Sequence, residues 1–243
     1  MEQATEVLIT YFKELYNSTN LPPCAATTNS INQVINGEMN EQLSWEFQAW
    51  EVQQAVKQMA PLNAPSPDGM PPLFFQHYWN LIGDDVIDFV LTFLNFASLP
   101  EHLNHTFITL IPKKKNPEHA SDFRPISLCN VLYKIFSKVL ENRLKGILPK
   151  IITEHQSAFT KCCFISDNIF VAPEFLHSMQ KHTRKDGFMA IKLDMIKAYD
   201  RVEWPYLEAV MKKLGFNDRW IKLLCYVLPL YPSPFWLMGN LKA

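Results

Sequence analysis

The chain has 243 residues, of which 48% are hydrophobic, and a formal net charge of −1. This composition is sufficient to bury a sizeable core, in one large domain or two small ones. The near-zero charge excludes a uniformly basic surface, so any attraction to phosphates must come from local patches.

Targeting signals and cysteine spacing narrow the class of protein further. No apolar run reaches the roughly 18 residues that a membrane span needs. The N-terminus carries Glu2 and Glu6 instead of the basic start of a signal peptide. The five cysteines are an odd number without zinc-site spacing, which is typical of reduced thiols. We therefore predict an intracellular protein, in the cytoplasm or nucleus, that is neither secreted nor membrane-bound.

The N-terminal quarter carries helical patterns and no residues that suggest chemistry. Apolar side chains recur at helical spacing over residues 1–20 and predict an amphipathic helix. The polar, proline-containing stretch from Leu21 to Asn36 predicts a loop, and two short helices follow, the second spanning Trp50–Ala60. Packing of these helices is a sufficient explanation of the pattern, so we interpret residues 1–62 as a helical connector.

A basic hairpin is the first candidate site along the chain. Branched and aromatic residues predict one strand over Phe107–Pro112 and a returning strand over Phe123–Leu128. A lysine run such as Lys113-Lys114-Lys115 often marks only a solvated loop. Arg124 lies across from this run, however, and two cations from one hairpin could clamp a triphosphate, with Arg bidentate and Lys as a point charge.

The clearest helix runs from Asn130 to Leu148, with Asn130 as its expected cap and an apolar stripe facing the core. Its basic residues Lys134, Lys138 and Arg143 lie off this stripe, either in solvent or against a phosphate backbone. A second helical pattern, from Asp167 to Gln180, contains Pro173, which should bend or break it at a cost of roughly 3 kcal/mol.

The most informative stretch comes next. Phe188–Leu193 is largely apolar and predicts a short buried strand, after which the chain leaves the strand at Asp194. A carboxylate held at a strand end suits a Mg²⁺ ligand, and Tyr199 would turn back toward the same pocket. The alternative is that Asp194 caps a helix and Tyr199 lies in the core.

The last quarter continues with two helices and a strand. Trp204–Leu214 has helical spacing and is closed by Gly215, and Asn217 caps a helix over Asp218–Tyr226. The apolar start and Gly-Asn end of Phe235–Asn240 predict a strand.

The segment Leu193–Asp200, with Asp194 and Tyr199 five residues apart, resembles the first catalytic motif (motif A) of reverse transcriptases. It is most similar to that of the non-LTR, LINE-like retrotransposons of plants. The resemblance implies that Asp194 binds the catalytic Mg²⁺ (or Mn²⁺) ions and that Tyr199 lies under the sugar of the incoming nucleotide. It also implies that Lys113 and Arg124 bind the triphosphate.

Other motifs extend the resemblance over nearly the whole chain, with departures. Pro65-Ser66-Pro67-Asp68-Gly69 resembles the family's Pro-Gly-Pro-Asp-Gly. A second family pattern, Gln-Ser-Ala-Phe followed by a turn and Asp-Asn, is matched by Gln156–Phe159 and Asp167–Ile169. Lys161-Cys162-Cys163 replaces the family's Pro-Gly-Arg turn, which removes an expected phosphate contact. The positions expected to contact nucleic acid are then Lys134, Lys138, Arg143, Gln156 and Lys161.

The resemblance implies an α+β fold, helix-rich with a small antiparallel sheet, that forms the fingers and a partial palm of a right-hand polymerase. We predict the connector over residues 1–62, a fingers-like region over 63–187, and the partial palm with motif A over 188–243. This is the N-terminal part of the polymerase domain only. Its partners would be an RNA template, a DNA primer and a deoxynucleoside triphosphate; an oligomeric state is not specified.

Two-metal phosphoryl transfer needs more than one carboxylate. The family supplies the others from a Tyr/Phe-x-Asp-Asp hairpin (motif C), and no such sequence follows Asp200. We therefore predict a fragment of an RNA-directed DNA polymerase that is inactive alone. The alternative is a non-catalytic RNA- or protein-binding relic of the same domain. A different Mg²⁺ enzyme using Asp194 and Asp200 is disfavoured, because Asp200 would point along a helix.

Overall fold

The computed structural model describes residues 2–17, 25–62, 68–96, 103, 106–153, 155–156, 164–181, 188–195 and 197–227. The helices before the sheet are α1 Glu2–Tyr16, α2 Ala25–Asn29, α3 Gly37–Ser44, α4 Ala49–Gln58, α5 Pro72–His77 and α6 Trp79–Phe96. The sheet consists of β1 Thr106–Pro112 and β2 Phe123–Cys129. The later helices are α7 Val131–Lys145, α8 Leu148–Ile151, α9 Ile165–Gln180, α10 Ala198–Arg201, α11 Trp204–Leu214 and α12 Asp218–Val227.

Over these ranges the chain is helix-rich with one small antiparallel sheet, as predicted. The two strands pair in the register Phe107↔Leu128, Ile111↔Arg124 and Pro112↔Phe123. Both predicted strands are therefore confirmed, with one further residue in each: Thr106 and Cys129. A 3₁₀ helix, Ala120–Asp122, closes the loop between them. No helix in the described ranges is long and apolar enough to cross a membrane.

One hydrophobic core joins helices from all three predicted regions. It takes buried side chains from α3–α7, α11 and α12, and Trp220 and Phe136 are fully buried in it. The rings of Phe93 on α6 and Phe136 on α7 lie 4.5 Å apart between centroids, within the range of favourable aromatic pairs. The region boundaries at residues 62 and 187 thus do not separate two described cores, and they stay predictions.

The segment before α3 is joined to the turn between α11 and α12. The carbonyl of Leu214 accepts hydrogen bonds from the backbone N–H groups of Val34 (3.1 Å) and Ile35 (2.9 Å). The side chain of Asn40 donates to the carbonyl of Gly215 at 2.8 Å and accepts from the N–H of Asn217 at 2.9 Å. Residues about 175 positions apart in sequence are therefore joined by a set of backbone and side-chain hydrogen bonds.

The helix ends were predicted with mixed success. Asn217 caps α12 as predicted, because its side-chain oxygen accepts from the N–H of Trp220 at 2.7 Å. Gly215 ends α11 in the left-handed region, as predicted, with φ of 95°. The predicted side-chain cap at Asn130 is wrong: no capping hydrogen bond forms at the start of α7, and the Asn130 amide instead donates to the carbonyl of Leu103.

The predicted buried strand at Phe188–Leu193 is wrong, and the predicted break at Pro173 does not occur. Phe188–Leu193 is irregular and exposed, not a buried strand; the side chains of Met189 and Leu193 are 81% and 88% exposed. A strand needs backbone partners, and no described strand lies beside this segment to provide them. Helix α9 also runs unbroken through Pro173, and its apolar residues, including Phe170 and Phe175, are exposed. The predicted strand at Phe235–Asn240 lies outside the described residues.

Candidate functional site

The loop between β1 and β2 is built around Asp122. The backbone N–H of Lys113 donates to the carbonyl of Asp122 at 2.7 Å and extends the strand ladder by one pair. The carboxylate of Asp122 accepts from the N–H groups of Glu118 and His119, each at 3.0 Å. It also pairs with the ammonium of Lys114 at 2.9 Å. These bonds give the lysine-rich loop a defined conformation.

The pairing with Lys114 changes the charge distribution of the loop. The hydrogen bond from Lys114, followed by those from the N–H groups of His119 and Glu118, holds the pKa of the Asp122 carboxyl well below its usual range. Asp122 is therefore ionised at neutral pH and offsets the charge of Lys114. Of the three consecutive lysines, Lys114 is thus the one least available to an external anion.

Lys113, Lys115 and Arg124 carry the uncompensated charge of the hairpin. The Lys113 ammonium donates to the carbonyl of Ser121 at 2.8 Å, a bond to a neutral group that leaves its charge intact. The side chains of Lys115 and Arg124 are exposed and form no hydrogen bond or ion pair within the described ranges. Arg124 pairs with Ile111, and residues two apart on a strand share a face, so Lys113 and Arg124 lie on the same face.

Arg143, predicted as a nucleic-acid contact, has a structural role instead. Its Nε and one Nη donate to the two carboxylate oxygens of Glu51 at 2.7 and 2.8 Å. Its remaining N–H groups donate to the carbonyls of Leu43, Trp45 and Glu46. The guanidinium carbon also lies 3.6 Å from the centroid of the Phe47 ring. All five donors are used inside the protein, so Arg143 has none left for a phosphate.

Of the four other predicted nucleic-acid contacts, the structure describes three. Lys138 pairs with Glu141 at 2.9 Å, whereas the half-buried side chain of Lys134 forms no hydrogen bond or ion pair with any other described residue. Gln156 is exposed, with its backbone N–H bonded to the carbonyl of Thr153 at 3.0 Å. Lys161, and with it the departure at Cys162 and Cys163, lies outside the described residues.

The motif A residues surround a sharp turn. Asp194 is exposed in the irregular segment, three residues before the N-cap of α10 at Lys197, so it does not cap that helix. Tyr199 lies in α10, and its side chain is outside the described part of the structure. The described residues contain no group of three or more His, Cys, Asp or Glu side chains that could hold a metal ion. They also show no hydrogen bond or ion pair between Asp194 and the basic hairpin.

The sequence analysis did not predict the roles of two residues, Glu51 and Lys197. Glu51 is only 8% exposed although it is acidic. It lies three residues after the N-cap residue Gln48, and a glutamate at this spacing indicates a capping box. Lys197 is left-handed, with φ of 56°, and its ammonium lies over the rings of Tyr11 and Phe12. No sequence pattern marks a lysine for that conformation, which asparagine or glycine adopt more readily.

The uncompensated cations on one face make the hairpin a candidate phosphate-binding element. A family model described as reverse transcriptase (RNA-dependent DNA polymerase) matches residues 111–237, just over half of the chain. The chain belongs to the reverse transcriptase family.

Curated relatives specify the branch of that family. The transposon TX1 uncharacterized 149 kDa protein of Xenopus laevis is 29% identical over 191 residues, 79% of this chain. The probable RNA-directed DNA polymerase from transposon BS of Drosophila melanogaster is 30% identical over 124 residues, 50% of the chain. The Pol polyprotein from type-1 retrotransposable element R2 of Nasonia vitripennis is 29% identical over 156 residues, 62% of the chain.

These relatives confirm the predicted relationship to reverse transcriptases of non-LTR retrotransposons. In each case the matched segment is 14% of the relative's own length. The chain thus corresponds to a small part of each of these proteins.

Proposed function

We propose that the chain forms the fingers and the first half of the palm of the RNA-directed DNA polymerase of a plant LINE-like retrotransposon. Its basic hairpin binds the triphosphate of a deoxynucleoside triphosphate, with Arg124 as a bidentate donor and Lys113 as a point charge. The observation that carries this proposal is the pair of uncompensated cations, Lys113 and Arg124, on one face of a hairpin within the family match. The form of motif A at Leu193–Asp200 supports the plant LINE-like assignment.

The catalytic metal ions of the family need a separate test against this chain. Asp194 is an exposed carboxylate, a hard oxygen donor of the kind that Mg²⁺ or Mn²⁺ prefers. Two-metal transfer needs several such ligands around both ions, and the described residues provide no cluster of them. Asp194 therefore fits as one ligand of an incomplete site, and the 243-residue chain alone binds a nucleotide without polymerising it.

Nucleic-acid contacts follow from the same charges. We assign Lys134 and, when released from Glu141, Lys138 to the backbone of an RNA template or DNA primer, with Gln156 and Lys161 as further contacts. Arg143 is left out of this set because its donors are used within the fold. Tyr199 is assigned to the sugar of the bound nucleotide, as the resemblance implies.

Equilibrium dialysis of the full chain with radiolabelled dTTP and Mg²⁺ tests the proposal directly. Replacing Lys113 or Arg124 by Met removes one charge-assisted contact of about 1.5–3 kcal/mol, which corresponds to a roughly 10- to 100-fold weaker Kd. Lys57→Met is the matched control, because Lys57 is exposed on α4 and far in sequence from the hairpin. Equal affinity of the hairpin variants and the control would reject the triphosphate assignment.

A further inference from the structure

A strained backbone position lies inside motif A. Lys197 is the one non-glycine residue with positive φ in the described ranges, at 56°. Left-handed backbone is unfavourable for a residue with a Cβ, and side chains such as Asn or Gly adopt it more readily. Such positions persist only where surrounding contacts hold them, and they cluster at functional sites.

The contacts that hold Lys197 come from α1. Its ammonium lies 4.3 Å from the centroid of the Tyr11 ring and 5.6 Å from that of Phe12, and it donates a hydrogen bond to the Tyr11 hydroxyl. The two rings meet edge to face at 5.2 Å, and Phe12 is fully buried. A cation over two aromatic faces is attracted by both ring quadrupoles. Lys197 is thus seated on a rigid aromatic pair.

The position of α1 gives this contact a wider consequence. Lys197 lies three residues after Asp194 and two before Tyr199, so its left-handed turn lies between these two residues in sequence. Helix α1 packs against α10, which contains Tyr199. It packs as well against the 3₁₀ helix Ala120–Asp122, which closes the lysine-rich loop. One helix therefore contacts both parts of the proposed nucleotide site.

We propose that Lys197 is a positioning residue for motif A and that α1 is the helix that holds it in place. Seated on Tyr11 and Phe12, Lys197 holds the turn that places motif A, while α1 holds the loop of the basic hairpin. Helix α1 thereby fixes motif A and the hairpin loop in one arrangement that accepts a nucleotide. This inference rests on the proposed nucleotide binding for its function, although the contact itself is independent of it.

The contact has a spectroscopic signature in the full chain. After reductive methylation with ¹³C-formaldehyde, the dimethyl-ammonium signal of a lysine seated over a ring is shifted upfield by the ring current. Lys197→Arg identifies the signal by its disappearance. Tyr11→Leu, which removes the nearer ring, should move it toward the position of exposed lysines. A signal that Tyr11→Leu leaves in place would overturn the contact.

Dialysis with Mg²⁺-dTTP tests the positioning role. Lys197→Met and Tyr11→Leu should each weaken the Kd about two- to five-fold, the range expected for a single cation–π contact, and the double variant no further than either alone. Lys197→Arg should retain affinity because it keeps the cation. Lys192→Met, an exposed lysine in the same segment, is the matched control. Far-UV circular dichroism, unchanged across the set, shows that each variant is folded, and Lys197→Met, compared with Lys197→Arg, carries the test if Tyr11→Leu is not.

The outcomes separate the two proposals. If the unmodified chain binds no dTTP, the proposed function fails, and the positioning role fails with it. If the unmodified chain binds dTTP and Lys113→Met weakens binding, but Tyr11→Leu and Lys197→Met behave like Lys192→Met, the proposed function stands and the positioning role is overturned.

Discussion

Arg143 and Glu51, 92 residues apart in sequence, form a two-point ion pair that joins α7 to the start of α4. The same carboxylate accepts the N–H of Gln48 at 2.8 Å and so caps α4. The side chains of Arg143 and Glu51 are 11% and 10% exposed, which makes this a nearly buried pair. The helix that follows the basic hairpin is therefore held by a segment that precedes the hairpin and lies before the family match at residue 111.

Removing either partner of this pair should strongly destabilise the fold. Glu51→Gln leaves the Arg143 guanidinium without its counter-charge, and Arg143→Met leaves the Glu51 carboxylate without its own. Each change should lower the free energy of unfolding by about 3–5 kcal/mol. Urea denaturation followed by circular dichroism measures this loss. Lys145→Met is the control, because its pair with Glu141 is about half exposed and should contribute less than about 1 kcal/mol. Similar losses for Lys145→Met and Arg143→Met would show that the buried pair has no special role.

The turn at Gly215 provides a second stability test, because it lies against the segment before α3. A Cβ at this position would lie 2.7 Å from the Gln33 Cγ and 2.8 Å from the carbonyl oxygen of Ile35, at a φ of 95°. Gly215→Ala should therefore lower the free energy of unfolding by about 1–3 kcal/mol. In Gly37→Ala, by contrast, the new Cβ meets nothing within 4 Å, so this control should be neutral or slightly stabilising. Equal denaturation midpoints for the two variants would contradict the expected clash.

The pH dependence of the hairpin loop follows from Asp122. Its pKa is lowered in the folded chain, chiefly by Lys114, so the stability that the loop contacts add is complete above the ordinary carboxyl pKa of about 3.9 and declines below it, and the contacts themselves are lost as pH falls through the lower pKa of the folded chain. NMR titration of the N–H signals of Glu118 and His119 should follow this protonation. Lys114→Met should move their midpoint upward, toward the ordinary carboxyl value. Asp122→Asn should abolish the titration, and a midpoint that Lys114→Met leaves unchanged would argue against this ion pair.

Local patterns were sufficient to predict the basic hairpin and most helices. Strands β1 and β2 are rich in branched and aromatic residues and are joined by a short polar loop, so their pairing depends on neighbours in sequence. The end of α11 was predictable for the same reason, since Gly215 ends it through its own backbone freedom. Lys113 and Arg124 could be placed across one hairpin because register alone sets their common face.

Tertiary relationships account for the features that the sequence did not reveal. Arg143 lies off the apolar stripe of α7 and reads as solvent-facing, because its partner Glu51 is remote in sequence. The apolar run at Phe188–Leu193 has strand composition, but a strand forms only beside another strand. The conformation of Lys197 depends on Tyr11, which no local pattern connects to motif A.

The last prediction concerns catalysis by the 243-residue chain itself. With dTTP and Mg²⁺ on a primed poly(rA) template, we expect no primer extension, because two metal ions need several carboxylate ligands and the sequence after Asp200 contains no Tyr/Phe-x-Asp-Asp to supply them. Asp194→Ala should leave this baseline unchanged, while weakening the Mg²⁺ dependence of dTTP binding in dialysis. Asp88→Ala, which changes an exposed aspartate on α6 that is remote from motif A in sequence, is the matched control for that second measurement. Extension by the unmodified chain that disappears in Asp194→Ala but persists in Asp88→Ala would mean that the chain assembles a complete metal site, and inactivity would have to be abandoned.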